Sequence, residues 1–265
     1  MTILNSIILG ALQGITEFLP ISSSGHLVLA ESVLGLRVEA LKSFDVAVHL
    51  GTLVSIFVYF WEDVCEMIKA FFRIVFLRMK KDSHEKLVGF IVIGTIPAVI
   101  AGLFLGDEID EIFRGVEMVG VSMMCTAILF LIAEYVNKKS AKSGVNFIKS
   151  LVIGIFQAVA LIPGVSRSGS TISAGLIGKM ERADAAKFSF LLGIPAIAGA
   201  GVLTFMDSSI DTVGLAASSS VAVGFLVSAI VGFFSIYFLM KFLKKYSLKI
   251  FSLYLLIVGS IVYFI

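Results

Sequence analysis

Charge is scarce in this chain. Asp, Glu, Lys and Arg make up 15% of its 265 residues, against 58% hydrophobic. Soluble domains carry about 25% charged and about 45–50% apolar residues. That excludes a soluble globular fold, and a mean hydropathy of +1.03 points to a polytopic membrane protein. Length then says nothing about the number of soluble domains, and 1–265 reads as a single integral membrane domain. Cysteine is nearly missing too. Cys65 falls in a charged segment and Cys125 inside an apolar run, so no disulfide is expected. Met1 to Asn5 lacks the positive n-region of a cleaved signal peptide, so the first apolar stretch is expected to stay in the mature chain. The net charge of +2 is small, and no nucleic-acid partner is expected.

Apolar runs of about 20 residues, long enough to cross a bilayer, occur six times: 43–61, 87–105, 116–136, 184–206, 217–239 and 247–265. Two more apolar regions, 3–35 and 147–178, are each interrupted by a polar break rich in Pro, Ser and Gly. Their arms are too short to cross and suit re-entrant helical hairpins. Residues 62–81 place Val64, Ile68, Phe71, Phe72, Val75 and Phe76 along one helix face with charges opposite. This predicts an amphipathic helix lying on the membrane surface.

Basic residues are missing from alternate loops, and this sets the orientation. Six Lys and Arg lie between the first two spans, four at 138–149, three at 179–187 and four at 241–249. Only Arg37, Lys42 and Arg114 fall on the other side. The 106–111 loop is acidic and 207–216 has no basic residue. The positive-inside rule makes the rich loops cytoplasmic and puts both termini outside. Hairpin plus three spans makes a half, and three crossings reverse direction. The first repeat (1–136) and the second (147–265) are therefore expected to be inverted, with the two breaks facing each other near the midplane.

The breaks carry the chemistry. Gln13-Gly14-Ile15-Thr16-Glu17-Phe18-Leu19-Pro20-Ile21-Ser22-Ser23-Ser24-Gly25-His26 holds a carboxylate, three hydroxyls and an imidazole. Pro163-Gly164-Val165-Ser166-Arg167-Ser168-Gly169-Ser170-Thr171 echoes it 144 positions on, pairing Gln13 with Gln157, Ser22 with Ser166, Ser24 with Ser168 and Gly25 with Gly169. Ser22 to Ser24 and Ser166 to Ser168 are good N-caps. Helices starting there would aim free N–H groups and positive dipole ends at an anion, with Arg167 as a fork for phosphate. Glu17 and Arg167 are costly in a membrane and mark a functional site, the bland alternative being a structural ion pair. Ser23 and His26, three apart, could pair as nucleophile and base. Gln13 and Glu17 share a face, and Glu17 could hold a divalent cation or act as acid or base. Asp45 and His49 either line the approach or make a local contact. Glu31 and Glu134 read as solvated carboxylates near the interfaces.

At these residues the chain resembles the undecaprenyl-diphosphate phosphatases associated with bacitracin resistance. Gln13 to His26 matches that family's (E/Q)GxTEFLPxSSxGH motif and Pro163 to Thr171 its PGxSRSGxT motif. The resemblance implies a phosphoric anhydride hydrolase in the bacterial cell membrane. It would release the terminal phosphate of undecaprenyl diphosphate and recycle the lipid carrier for peptidoglycan. It also implies dependence on Mg or Ca. It places Glu17, Ser23, His26 and Arg167 in catalysis, with Glu17 also toward the metal. Gln13, Ser22, Ser24, Gly25, Ser166, Ser168, Gly169 and Thr171 would bind substrate. Many members have Glu where this chain has Gln13, which concentrates the acid–base or metal work on Glu17. The rival reading is a polyprenyl-phosphate transporter using the same inverted-repeat site. Membrane lipid is an expected partner, and oligomeric state is left open.

Overall fold

The computed structural model describes residues 1–36, 41–76, 82–113, 115–138, 143–206 and 219–264. Arg37, Arg114, the 207–216 loop and residues 77–81 of the expected amphipathic helix lie outside them. Among the described residues there are eleven α-helices and no strand. They are α1 Ile3–Thr16, α2 Ser23–Val33, α3 Lys42–Tyr59, α4 Trp61–Phe76, α5 Ser83–Phe113 and α6 Val116–Lys138. The chain continues through α7 Phe147–Val159, α8 Arg167–Ile177, α9 Arg182–Met206, α10 Ser219–Leu243 and α11 Lys249–Phe264.

Four of these, α5, α6, α9 and α10, are long and apolar enough to cross a membrane. The fold is that of a multi-pass membrane protein. Two of the six expected spans form shorter helices. α3 has 18 residues and α11 has 16, about 27 and 24 Å at about 1.5 Å per residue. After α3 the chain bends by 91° into α4. Trp61, Ile68, Phe71, Phe72, Val75 and Phe76 stand exposed on α4, the apolar stripe of a helix lying along a lipid surface. The expected 106–111 loop is helical, because α5 runs on to Phe113.

Both polar breaks separate two short helices. Thr2 caps α1 by accepting from the N–H of Asn5, and Asn146 caps α7 by accepting from Lys149. Ser22 caps α2 and Ser166 caps α8, each accepting from the glycine three residues on. Buried Ser6, Leu9, Gly10 and Gln13 of α1 stand 144 positions before buried Ser150, Ile153, Gly154 and Gln157 of α7.

Small residues let these helices approach their neighbours, as is usual where lipid removes the hydrophobic drive to pack. A Cβ on Gly10 would lie 2.6 Å from the Gly224 carbonyl oxygen on α10, and one on Gly154 would strike the Gly94 carbonyl on α5. α6 and α11 meet through Gly120 and Gly259. The interior is filled by Phe18, Ile56, Phe60, Met123, Phe130, Phe190 and their neighbours.

Candidate active site

Glu17 caps the C-terminal end of α1 at the start of the first break, and its backbone N–H still bonds the Gln13 carbonyl. It is 7% exposed. Its Oε2 accepts from Gln13 Nε2 at 2.9 Å and from Ser23 Oγ at 2.8 Å. Its Oε1 accepts from Arg167 Nη2 at 2.5 Å. One carboxylate thus joins the two breaks across 150 residues of sequence. Arg167 also donates from Nη1 to the Ser189 carbonyl on α9 at 3.4 Å. A guanidinium has five N–H donors, so others stay free for an anion. Gly193, also on α9, makes the room: a Cβ there would lie 2.9 Å from Arg167 Cζ.

The pairing of Ser23 with His26 expected from their spacing is not formed. Ser23 is the first residue of α2. Helical side chains lean toward the N-terminus, which turns Ser23 back into the break where Glu17 sits. His26 has both ring nitrogens engaged elsewhere. Nδ1 lies 2.8 Å from the Ser22 carbonyl, so it carries the proton and donates. Nε2 accepts from the Tyr254 hydroxyl on α11 at 2.7 Å. The two rings stack with centroids 5.7 Å apart. Ser22 has φ of 71°, a conformation that side chains disfavour and that recurs at functional sites.

A cavity of about 330 Å³ opens on this constellation. Glu17, Ser23, Ser24 and Arg167 line it, with Asp45 and His49 from α3 and apolar residues from α9. His49 Nε2 stands 3.7 Å from Glu17 Oε2, while its Nδ1 donates to the Asp45 carbonyl at 2.6 Å. His49 thus bonds the Asp45 main chain, and both residues stand on the cavity wall.

The remaining expected residues sit behind the lining. Gly25 and Gly169 are where α2 and α8 touch α6, since a Cβ would strike Met123 or Phe130. Ser166 accepts from Gly169 and is 3.3 Å from Ser168 Oγ. Thr171 donates to the Arg167 carbonyl at 2.8 Å and meets Ser189 Oγ at 2.6 Å. These groups hold the start of α8, and so Arg167, in place.

Glu134, expected to be solvated, is buried. It accepts from Arg182 Nε and Nη2 and from the Leu248 N–H, tying α6, α9 and the start of α11 together. Glu31 is buried as well. Ser189, Gly193 and Tyr254 were not singled out in the sequence. They lie in apolar helices far from either motif, and a small or aromatic residue there carries no signal of its own.

Among the described residues no three His, Cys, Asp or Glu side chains gather as a ready metal site. Two carboxylates, Glu17 and Asp45, do line one cavity. That set suits a hard cation bound by one or two carboxylates and by the oxygens of a phosphate ligand.

Known proteins are similar to this sequence over nearly its whole length. An undecaprenyl-diphosphatase of Methanosphaera stadtmanae is 44% identical, covering 98% of this chain and 97% of its own. One of Thermodesulfovibrio yellowstonii is 46% identical, covering 94% and 91%, and one of Rubrobacter xylanophilus 40%, covering 99% and 97%. A family model described as bacitracin resistance protein BacA matches residues 6–261. The two hairpins whose breaks meet at Glu17 and Arg167 both lie within that match, and the chain belongs to the bacitracin resistance protein BacA family.

Proposed function

We propose that this protein is an undecaprenyl-diphosphate phosphatase. It hydrolyses the terminal phosphate of undecaprenyl diphosphate, releasing undecaprenyl phosphate and inorganic phosphate. The observation that carries this is the Glu17–Arg167 contact on a cavity wall, with Ser23 bonded to the same carboxylate. Buried charge at facing breaks has no use in a scaffold, while a diphosphate needs such a cation and such an acceptor. The returned carrier supplies peptidoglycan synthesis and fits the bacitracin resistance of the family name.

The mechanism follows from the contacts. The diphosphate displaces part of the Arg167–Glu17 contact and takes the free guanidinium donors. The N-terminal ends of α2 and α8 add their dipoles. Ser23 Oγ attacks the terminal phosphorus as its proton passes to Glu17 Oε2, the oxygen it already faces. The bond to the bridging oxygen breaks, and water then hydrolyses the phosphoserine to free the enzyme. Charge spreads over the phosphoryl oxygens in the transition state, so positioning and electrostatics carry the rate. His26, bonded to Ser22 and Tyr254, positions the start of α2. A Mg or Ca ion bound with the diphosphate would be held by Glu17 and Asp45. It would supply charge neutralisation of the phosphate oxygens.

The halves 1–136 and 147–265 form an inverted repeat in this reading, with both termini and the cavity mouth on the outer side. The constant offset of 144 between α1 and α7 supports it, as does the partition of basic residues. The test is phosphate release from undecaprenyl diphosphate by the purified protein in detergent, where no gradient exists to drive transport. Wild type releases phosphate. Glu17→Gln, Ser23→Ala and Arg167→Ala each lose on the order of a hundredfold or more, the scale of removing one charge-stabilising group. Near-normal turnover by Ser23→Ala removes the serine step, and by Arg167→Ala the whole site. No release by wild type leaves the transporter reading.

A further inference from the structure

The polar cavity is one end of a longer opening. Leu161, Ala196 and Ala200 line both it and a neighbouring cavity of about 460 Å³. Thr95, Val99 and Pro195 carry that one into a third of about 290 Å³. The result is an apolar groove between α5 and α9. Its wall on α5 runs from Ile91 to Leu103, about 18 Å at about 1.5 Å per residue.

This groove is where the fold breaks its own correspondence. Counting each half from its hairpin, α3 matches α9 and α5 matches α10, so α3 with α10 is the counterpart of α9 with α5. The α3–α10 pair is shut by glycines: a Cβ on Gly51 would strike Ser228 and Phe225, and one on Gly232 would lie 2.5 Å from Ser55 Oγ. Between α5 and α9, Gly94 still meets Leu192, with a Cβ there 3.1 Å from the leucine, but the glycines along the groove close nothing. A Cβ on Gly199 of α9 would meet nothing within 4 Å, and one on Gly102 of α5 only Leu161 at 3.8 Å.

We infer that this groove holds the polyprenyl chain of the diphosphate whose head occupies the polar cavity. The inference rests on the phosphatase reading for its choice of ligand. Continuity with the polar site is the reason for committing to this occupant: a lipid whose head bonds Arg167 has a path for its tail past Leu161. Lipid tails are as apolar as the groove, so moving the chain there from the bilayer gains little by transfer. The groove acts by alignment, holding the terminal phosphate in register with Ser23.

The test uses the full chain in phospholipid vesicles. Gly199→Phe and Gly102→Phe fill the groove from opposite walls at positions where the new side chain has space. Each is expected to lower kcat/KM for undecaprenyl diphosphate on the order of tenfold, while geranyl diphosphate changes less than about twofold, because only the long chain relies on the groove for alignment. Equal change with both substrates, or none with either, overturns the inference. A second measurement does not depend on turnover. Undecaprenyl diphosphate carrying a photoreactive tail is crosslinked to wild type, and the labelled peptides are mapped. Labels on α5 and α9 support the groove; labels spread around the membrane-facing helices overturn it. Labels on α5 and α9 without phosphate release leave the groove standing and remove the phosphatase reading.

Discussion

At the scale of single residues, the site depends on a side chain that is not there. Gly193 leaves the volume that the Arg167 guanidinium fills beside Glu17. Alanine at this position would force the guanidinium aside, and what yields is the end of a flexible side chain rather than backbone. Gly193→Ala is therefore expected to fold normally, with a thermal midpoint near wild type, and to lose about tenfold or more in kcat/KM through misplacement of Arg167. Wild-type turnover would show that the Arg167–Glu17 geometry is not needed. The motif residues Glu17, Ser23 and Arg167 are legible in the sequence because charge and clustered hydroxyls stand out in an apolar chain. Gly193 is not legible, since glycine is common there and its meaning lies in what occupies the space it leaves. Ser23 meets Glu17 rather than His26 for a related reason: spacing along a helix names neighbours, but the first residue of a helix faces its own break.

At the scale of elements, helix ends do most of the work. Four N-caps, Thr2, Ser22, Asn146 and Ser166, start the hairpin helices. The junction between α4 and α5 uses another. Asp82 Oδ1 accepts from the Glu85 N–H at 2.8 Å, and its Oδ2 pairs with Arg73 at 2.7 Å. The Glu85 N–H, then Arg73, hold the Asp82 carboxyl below its ordinary range against the cost of partial desolvation. A carboxyl depressed in the folded state adds stability above its unfolded value, about 3.9, and loses it as pH falls through the folded value. The junction is expected to stay closed at neutral pH and to loosen only below about pH 4. Amide exchange of residues 83–86 against pH checks this, with Asp82→Asn flattening the response. These caps are legible because Ser, Thr, Asn and Asp before apolar runs have a mechanism. Burial of Glu134 is not, because its partners Arg182 and Leu248 arrive from other helices.

Across the whole molecule, the proposed repeat predicts matched sensitivity. Gly10 on α1 against Gly224 on α10 and Gly154 on α7 against Gly94 on α5 are equivalent contacts by helix order. Leucine at either position overpacks a backbone crossing, a change costing about 1–3 kcal/mol. Gly10→Leu and Gly154→Leu should lower the thermal midpoint of the purified protein by similar amounts. A large drop for one and none for the other would mean the two halves do not share a packing scheme. The 144-residue spacing of the two motifs is readable in the sequence. The openness between α5 and α9 is not, because it depends on how far two helices stand apart.

The correspondence also fails at one position with a clear result. Counting 144 on from Glu17 leads to Leu161, which lines the passage from the polar cavity into the groove. A molecule with a carboxylate at both places would present two like ends and no preferred way in. With leucine at one, the interior has a polar pole and an oily pole. An amphiphile can lie across them in a single direction, so the enzyme reads which end of its ligand comes first before any bond is broken.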